Sequence, residues 1–267
     1  MSESTSDASR GNDPFVDYYV RESTSPRTIN RFQGTMNAVL RVRAGQDSPV
    51  DSLDVADVGC NTGTQSLIWA ERGHRVRGID INEALLEVAR LRSKQAGRGV
   101  TFTLGSATEL PWEANSMDVC LLPELLEHVA DWQTCLSEAC RVLRSGGTLF
   151  LSTTNTLCPV QNEFDVPLYS WFPNSVKRHY ERLAVTTRPE LVKHAKFPAV
   201  NWFTPYGLAK YLDKRGFETF DRFDVIDVSN KSAMQRSVLG VVRSIRPLRW
   251  LAHVATPYTM LIANKRA

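Results

Sequence analysis

The most informative stretch of the sequence is a glycine-containing loop between an apolar run and a helical pattern. It reads Asp57-Val58-Gly59-Cys60-Asn61-Thr62-Gly63-Thr64. Glycine lets the backbone turn tightly and lets a ligand approach where a side chain would clash. The spacing lacks the third glycine of the dinucleotide fingerprint, and Asn61 stands where such a loop has its central glycine. A nucleoside without phosphates therefore fits this loop better than a dinucleotide.

An acidic residue, Asp80, follows Gly59 by 21 residues and ends the next apolar run. A carboxylate at the end of a second parallel strand accepts hydrogen bonds from the hydroxyls of a ribose. The alternative is an ordinary strand–turn–helix with a surface aspartate. Because ligands of open α/β sheets bind at the carboxyl ends of strands, the loop and Asp80 together favour a nucleoside site.

A second group of polar residues, Glu124, Glu127 and His128, has the spacing i, i+3, i+4. On a helix, residues at this spacing share one face. Two carboxylates and one imidazole can hold Mg²⁺, or a softer ion such as Mn²⁺ or Zn²⁺. Glu124, Glu127 and His128 are therefore our candidates for a divalent metal site. The alternative is that the segment binds no metal and that His128 orients the substrate or the helix.

The elements that position these residues alternate between short apolar runs and helical patterns. We predict strands at 53–58, 75–79, 100–104, 117–122 and 148–152, with helices at 64–72, 82–95 and 131–143 between them. A helix over 204–215 and strands at 217–225 and 258–263 follow. This order is typical of an α/β fold, a doubly wound parallel sheet covered on both faces.

Four segments set the predicted domain organisation. Residues 1–13 are rich in Ser, Thr and Asp and are predicted to be a flexible arm, residues 14–48 a helical cap, and residues 49–267 the main domain. The insert 155–203 holds five prolines and eight of the chain's 24 aromatic residues. We interpret it as a lid or acceptor wall beside the crevice. The alternative is that its aromatic residues pack a satellite core.

Positive charge is concentrated near the end of the chain. The formal net charge is +3, but residues 231–267 hold seven Lys or Arg and no Asp or Glu. Since the rest of the chain is not basic, a nucleic-acid partner is not expected. In 231–255, Val238, Val241, Val242 and Ile245 share one helical face, and Arg236 and Arg243 lie opposite. This segment either rests on an anionic membrane surface or packs its apolar face on the sheet, leaving the arginines in water.

The hydropathy and cysteine content of the sequence indicate where in the cell the protein resides. No stretch approaches the roughly 18 apolar residues of a membrane-spanning helix, and the N-terminus lacks the apolar core of a secretory signal. Five cysteines without a C-x-x-C pair suit reduced thiols. We expect a cytoplasmic protein, or one peripheral to the inner face of a membrane.

These motifs, in this order, resemble the class I S-adenosylmethionine-dependent methyltransferases. The resemblance rests on residues 55–63, 78–80, 105–112, 115–119, 125–129 and 143–147, and it covers about residues 50–265. Within the family, 124–129 and 152–155 look most like the ubiquinone-biosynthesis type of O-methyltransferase. The resemblance implies a Rossmann-like, mostly parallel sheet of seven strands with the last antiparallel.

The resemblance also implies residue roles. The loop with Asp57, Gly59, Cys60, Asn61 and Gly63 would face the methionine part of S-adenosylmethionine, and Asp80 would hold the ribose. Further cofactor contacts would come from Ile81, Ser106, Ala107, Leu122 and Pro123. Arg31 is the nearest counterpart of a family arginine that binds the cofactor carboxylate. A similar Glu-x-x-Glu-His segment binds a divalent metal in some family members.

The implied activity is O-methylation of a small or lipid-linked hydroxylated acceptor, such as a phenol, a quinol precursor or a glycan hydroxyl. A hydroxyl acceptor loses a proton, so His128 is our candidate for a base or an acceptor-orienting group. Two alternatives stay open: N- or C-methylation of a natural product, and a catalytically silent methyltransferase-like binding module. Intact Asp57, Gly59, Gly63 and Asp80 argue against the silent module.

Overall fold

The computed structural model describes residues 14–48, 50–192 and 198–266, so the predicted arm 1–13 lies outside the described residues. Within these ranges seven strands form one sheet, in the order β3-β2-β1-β4-β5-β7-β6. Their bounds are Asp54–Val58 (β1), Arg75–Asp80 (β2), Thr101–Leu104 (β3), Met117–Pro123 (β4), Leu143–Thr154 (β5), Phe217–Asp221 (β6) and Tyr258–Lys265 (β7). Strands β1 to β5 pair in parallel, and β7 runs antiparallel to both of its neighbours. The predicted fold class is confirmed.

Nine α-helices accompany the sheet in the described ranges. They are Pro14–Glu22 (α1), Pro26–Ala44 (α2), Thr64–Glu71 (α3), Glu83–Gln95 (α4), Trp132–Val142 (α5), Asn174–Thr186 (α6), Pro205–Asp213 (α7), Ala233–Ser244 (α8) and Arg246–Val254 (α9). Several begin at a side chain that accepts a backbone N–H of the first turn, as Asn82 does from Leu85. None of the described helices is long and apolar enough to cross a membrane.

The core lies on both faces of the sheet. In β1, Ala56 and Val58 belong to the cluster that also contains Leu136 of α5 and Leu208 of α7. Val55, pointing the opposite way, belongs to the cluster with residues of α2 and α3. Every residue of β1 is buried, as expected for a central parallel strand covered twice.

The aromatic insert builds a core of its own. Phe164 and Tyr169 are buried and stacked, with ring centroids 4.2 Å apart, and Trp202 packs on Tyr169 at 5.2 Å. Buried Lys177 donates to the carbonyl of Ser170 at 2.8 Å and lies over the Trp202 ring. The packing of these side chains agrees with the alternative of a satellite core, and the lid or acceptor wall stays a prediction for the insert. Residues 193–197 of the insert lie outside the described ranges.

The helices α8 and α9 dock through their arginines. The guanidinium of Arg243 donates to the carbonyls of Phe223 at 2.8 Å and Asp224 at 3.1 Å, and Arg249 is paired with Asp221 and Asp224. Val238 on the opposite side of α8 is exposed. The alternative that this apolar face packs on the sheet is therefore wrong for Val238, Val241 and Ile245, which are exposed. Of the two arginines placed opposite, Arg243 binds acceptors after β6, and Arg236 is exposed as that alternative expects.

Candidate active site

The predicted cofactor loop joins β1 to α3 at the carboxyl edge of the sheet. Its backbone N–H groups at Gly59 and Cys60 both donate to the carbonyl of Ile79, at 2.8 and 3.0 Å, which fixes the loop beside the end of β2. Gly59, Asn61 and Gly63 have φ values of 74°, 51° and 77°. Three left-handed residues within five positions turn the chain sharply into α3.

The two loop glycines are also packing positions. A Cβ on Gly63 would lie 2.8 Å from Cζ of Phe102 and 2.9 Å from Cβ of Ala89. A Cβ on Gly59 would lie 3.0 Å from Cδ1 of Leu125. At position 63, a side chain would therefore clash with α4 and β3 of the protein itself, so packing and not the approach of a ligand requires glycine there.

Asp57 lies beneath the loop with no exposed surface. Its carboxylate accepts hydrogen bonds from Oγ of Ser66 at 2.5 Å and from Nε2 of Gln65 at 3.3 Å. Burial raises the pKa of Asp57 to about 6. Because both partners belong to the first turn of α3, Asp57 ties β1 to α3 and shapes the loop from below.

Asp80 stands at the tip of β2, next to the loop. One carboxylate oxygen accepts the backbone N–H of Asn61 and the other that of Asn82, both at 2.9 Å. Burial raises the pKa of Asp80. A carboxylate has about four lone-pair positions, so these backbone donors leave room for a hydroxyl donor. The arrangement fits the binding of a ribose diol at this edge.

The remaining predicted cofactor contacts lie at or after the carboxyl ends of β2, β3 and β4. Ile81 is 59% exposed, an apolar side chain available to a flat ring. Ser106 forms a turn in which its hydroxyl accepts the N–H of Thr108 at 3.2 Å. Leu122 is buried and Pro123 half-buried at the end of β4. Cys60 is buried, and burial raises the pKa of its thiol, so it is a core residue rather than a nucleophile.

The segment after β4 is not helical, so the predicted shared helical face of Glu124, Glu127 and His128 is wrong. Residues 124–131 form turns. Glu124 has a φ of 49°, which a right-handed helix does not contain. The side-chain amide of Asn201 donates to the carbonyls of Leu126 at 2.9 Å and Val129 at 2.7 Å, holding the turns open.

As a result the three side chains point to different partners. Glu124 pairs with Arg31 of α2, and Glu127 accepts the hydroxyl of Thr153 at 2.7 Å. His128 Nε2 lies 3.9 Å from Oε2 of Glu163. Within residues 14–48, 50–192 and 198–266, no group of three His, Cys, Asp or Glu side chains is arranged to hold a metal ion. The three residues do not fit the predicted metal site.

Glu127 has no exposed surface, and its Oε1 has no hydrogen-bond partner among the residues that the structure describes. Burial, followed by the charges of Glu163 and Glu124, raises the pKa of Glu127 well above its ordinary value. The folded protein therefore favours the protonated form of this carboxyl group.

The N-terminal helices cover the crevice, which the sequence did not predict in detail. Burial, then Tyr18 and the nearby charges of Glu163, Glu124 and Asp80, raises the pKa of Tyr19 in α1 to about 12. Arg92 of α4 donates to the carbonyl of Val20 at 2.9 Å and to Oγ1 of Thr62 at 2.9 Å. It therefore fastens α1 to the cofactor loop. Tyr19, Arg92 and Glu163 carry no motif that would have identified them.

Comparison with known proteins agrees with this geometry. Residues 56–151 match the family model described as a methyltransferase domain. Residues 56–151, which run from β1 to β5, therefore match a methyltransferase domain, in agreement with the resemblance of the sequence to the S-adenosylmethionine-dependent methyltransferases.

Within that class the chain is similar to ubiquinone biosynthesis O-methyltransferases. It is 43% identical to the one from Hahella chejuensis over 102 residues, which are 38% of this chain and 43% of that protein. It is 36% identical to the one from Thiobacillus denitrificans over 109 residues, 40% of this chain and 47% of that protein. The similarity thus spans less than half the length of these relatives.

Solved structures share the fold over most of the chain. A SAM-dependent methyltransferase from Methanosarcina mazei has a TM-score of 0.53 at 19% identity, covering 83% of this chain and 96% of its own. Geranyl diphosphate methyltransferase in complex with SAM has a TM-score of 0.56 at 14% identity, covering 97% and 93%. The cyclase SpnF has a TM-score of 0.52 at 17% identity, covering 85% and 80%. Since a cyclase shares the architecture, these likenesses establish the fold alone.

Proposed function

We propose that the protein transfers a methyl group from S-adenosylmethionine to a hydroxyl of a small or lipid-linked acceptor. The proposal depends on one juxtaposition: the glycine loop, Asp80 and the turn 124–128 meet at the carboxyl edge of the sheet. When bound, the cofactor supplies a methyl group already activated by its sulfonium, so the protein's main contribution is to hold the reacting atoms in line.

The cofactor half of the site would be built from Asp80 and the loop. Asp80 would accept both ribose hydroxyls, and Ile81 and the turn at Ser106 would flank the base. Arg31, at the crevice beside Glu124, is the candidate for the cofactor carboxylate. The carboxylates of Asp80, Glu124 and Glu163 around the crevice favour a cationic group there.

The acceptor half of the site would use His128. The imidazole of His128 would accept the hydroxyl proton as the acceptor oxygen bonds to the methyl carbon and the carbon–sulfur bond of the sulfonium breaks, which leaves a neutral thioether. The carboxylate of Glu163, 3.9 Å from Nε2, would stabilise the imidazolium. Glu127 would keep this region from accumulating a further negative charge, since its burial favours the protonated form.

The cofactor step is tested by calorimetry with S-adenosylmethionine. Asp80→Ala should weaken binding by about 1–3 kcal/mol through lost hydrogen bonds to a charged group. Asp213→Ala, which removes an exposed carboxylate paired with Arg266, is the matched control and should bind as the wild type does. No binding by the wild type would favour the silent module, and unchanged binding by Asp80→Ala would contradict the ribose assignment.

The transfer step is tested by adding the enzyme and methyl-labelled cofactor to cell extracts and identifying species that gain one methyl group. His128→Gln should lower turnover of the labelled product about 100-fold while leaving cofactor affinity unchanged. Label found on nitrogen or carbon would replace the O-methylation proposal with the N- or C-methylation alternative. Wild-type rates in His128→Gln would remove His128 as the base.

A further inference from the structure

The outward side of α8 and α9 is an apolar surface without a partner in the described part of the chain. Met234, Val238 and Val241 follow one another at helical spacing along α8, Ile245 joins α8 to α9, and Trp250 and Leu251 lie on α9; all six are exposed. We call these six residues the apolar face. A soluble monomer rarely leaves a contiguous patch of this kind in water, and such patches mark interaction sites.

The apolar face cannot turn inward, because hydrogen bonds and ion pairs hold the opposite side of the helical hairpin that α8 and α9 form. Arg249 is paired with Asp221 and Asp224, and His253, itself buried, lies 2.8 Å from the carboxylate of Asp221. Burial opposes ionisation of Asp221, but the hydrogen bonds from His253 and Arg249 outweigh it and hold its pKa below the ordinary value. The outward orientation of the apolar residues is therefore fixed by the anchors on the other side.

The positive charges around the apolar face indicate the kind of partner that it contacts. Lys231, Arg236 and Arg246 are exposed beside it, and residues 231–267 contain no Asp or Glu. A second copy of the chain on a two-fold axis would bring these cations against their own counterparts, with no acid in the segment to neutralise them. Anionic lipid headgroups neutralise them, while the acyl boundary accepts the apolar side chains. Tryptophan, here Trp250, is favoured at that boundary.

The topology places the hairpin at the same edge of the sheet as the crevice. It connects the end of β6 to the start of β7, and Tyr258, which opens β7, pairs with Thr154, the last residue of β5. The carboxyl end of β5 lies beside that of β4, where the turn 124–128 begins. A surface bound to the hairpin is therefore on the side where the crevice opens.

We propose that the apolar face of α8 and α9 docks on a bilayer containing anionic lipids, with Arg236 and Arg246 at the headgroups. The anchoring arginines Arg243 and Arg249 take no part in lipid binding, because their guanidinium groups are committed to the loop after β6. Docking does not depend on the proposed methyl transfer and can be measured without an acceptor.

The test is flotation of the full chain with vesicles of phosphatidylcholine alone and of phosphatidylcholine mixed with phosphatidylglycerol. The wild type should float with the mixed vesicles. Val238→Ser combined with Leu251→Ser should reduce partitioning about tenfold or more. The matched control is Leu91→Ser combined with Val185→Ser, since these side chains are 54% and 63% exposed against 53% for Leu251 and 58% for Val238. The control should float as the wild type does.

A separate variant tests the electrostatic contribution to vesicle binding. Arg236→Gln combined with Arg246→Gln should abolish the preference for phosphatidylglycerol and leave the circular dichroism spectrum and unfolding midpoint unchanged. Sedimentation velocity of every variant measures the oligomeric state and so tests whether a second copy of the chain covers the apolar face instead. Absence of wild-type flotation, or equal flotation of the apolar-face variant and its control, overturns the proposal. A wild-type dimer that Val238→Ser with Leu251→Ser converts to monomer, without vesicle binding, would assign the face to a second copy instead.

Discussion

Replacing Asp57 by asparagine probes how the protein holds its cofactor loop. Asp57 has no exposed surface and accepts hydrogen bonds from Ser66 and Gln65 at the start of α3. Burial raises its pKa from an ordinary 3.8 to about 6, and the charge of Asp80 adds to the rise. Keeping this carboxylate ionised in the folded protein therefore costs free energy that an amide of the same shape does not.

The magnitude follows from the pKa difference. The folded and ordinary values differ by about 2 pH units, each worth about 1.4 kcal/mol, so ionisation of Asp57 lowers the free energy of unfolding by about 3 kcal/mol. Because the folded pKa is the higher one, the folded state retains the proton between about pH 4 and 6, and stability falls as the pH rises through that window. Asparagine loses the longer hydrogen bond from Gln65, at about 1 kcal/mol. Asp57→Asn should therefore be about 2 kcal/mol more stable than the wild type at neutral pH and slightly less stable near pH 4.

Urea unfolding followed by tryptophan fluorescence at both pH values measures this crossover. Asp213→Asn, at an exposed carboxylate, is the control and should follow the wild type at both pH values. If the stability difference between wild type and Asp57→Asn is the same near pH 4 and at neutral pH, the burial argument for Asp57 is refuted.

Three further predictions rest on the same region. Gly63→Ala should lower the free energy of unfolding by about 2–4 kcal/mol because its Cβ would meet Phe102, whereas Gly73→Ala, at a φ of 89° in open space, should lower it by only about 1 kcal/mol in the same urea assay. Glu127→Gln should be more stable than the wild type at neutral pH but not at acid pH, since burial raises the pKa of Glu127 and stability falls as the pH rises towards it. Arg92→Ala should speed amide hydrogen exchange in α1 and leave exchange in the central strands unchanged.

Each of these has an outcome that contradicts it. Equal losses at Gly63 and Gly73 would mean that backbone conformation alone, and not contact with Phe102, limits the loop. A Glu127→Gln variant less stable than the wild type at neutral pH would show that the carboxylate is stabilised where it lies. Unchanged exchange in α1 after removal of Arg92 would place its attachment elsewhere.

The fold, and the meeting of the glycine loop and Asp80 at one edge of the sheet, follow from the sequence because their signals are local. Alternating apolar runs gave strand positions within a few residues, and the glycine loop and Asp80 lie at strand ends, where parallel strands bring them to one edge. The side chain of Asn82, at the start of the predicted helix 82–95, caps α4. These features depend on residues close in the chain, so composition and spacing specify them.

The acceptor half depends on contacts between distant segments. The spacing of Glu124, Glu127 and His128 is compatible with a helix, but Asn201 from beyond the insert takes the carbonyls that a helix would use. Glu163 reaches His128 only through the folded insert. The periodicity of the sequence does not show that these long-range contacts form in place of a helix.

The hairpin of α8 and α9 shows most clearly the difference between what local sequence specifies and what tertiary contacts specify. The sequence by itself determined that α8 has an apolar face and a basic face, because helical spacing is a local property. Only the tertiary structure decided which face turns inward. Carbonyls and carboxylates at the end of β6 and in the loop after it accept hydrogen bonds from Arg243 and Arg249. These half-buried guanidinium groups, with several good acceptors, exclude the exposed apolar side from the same place.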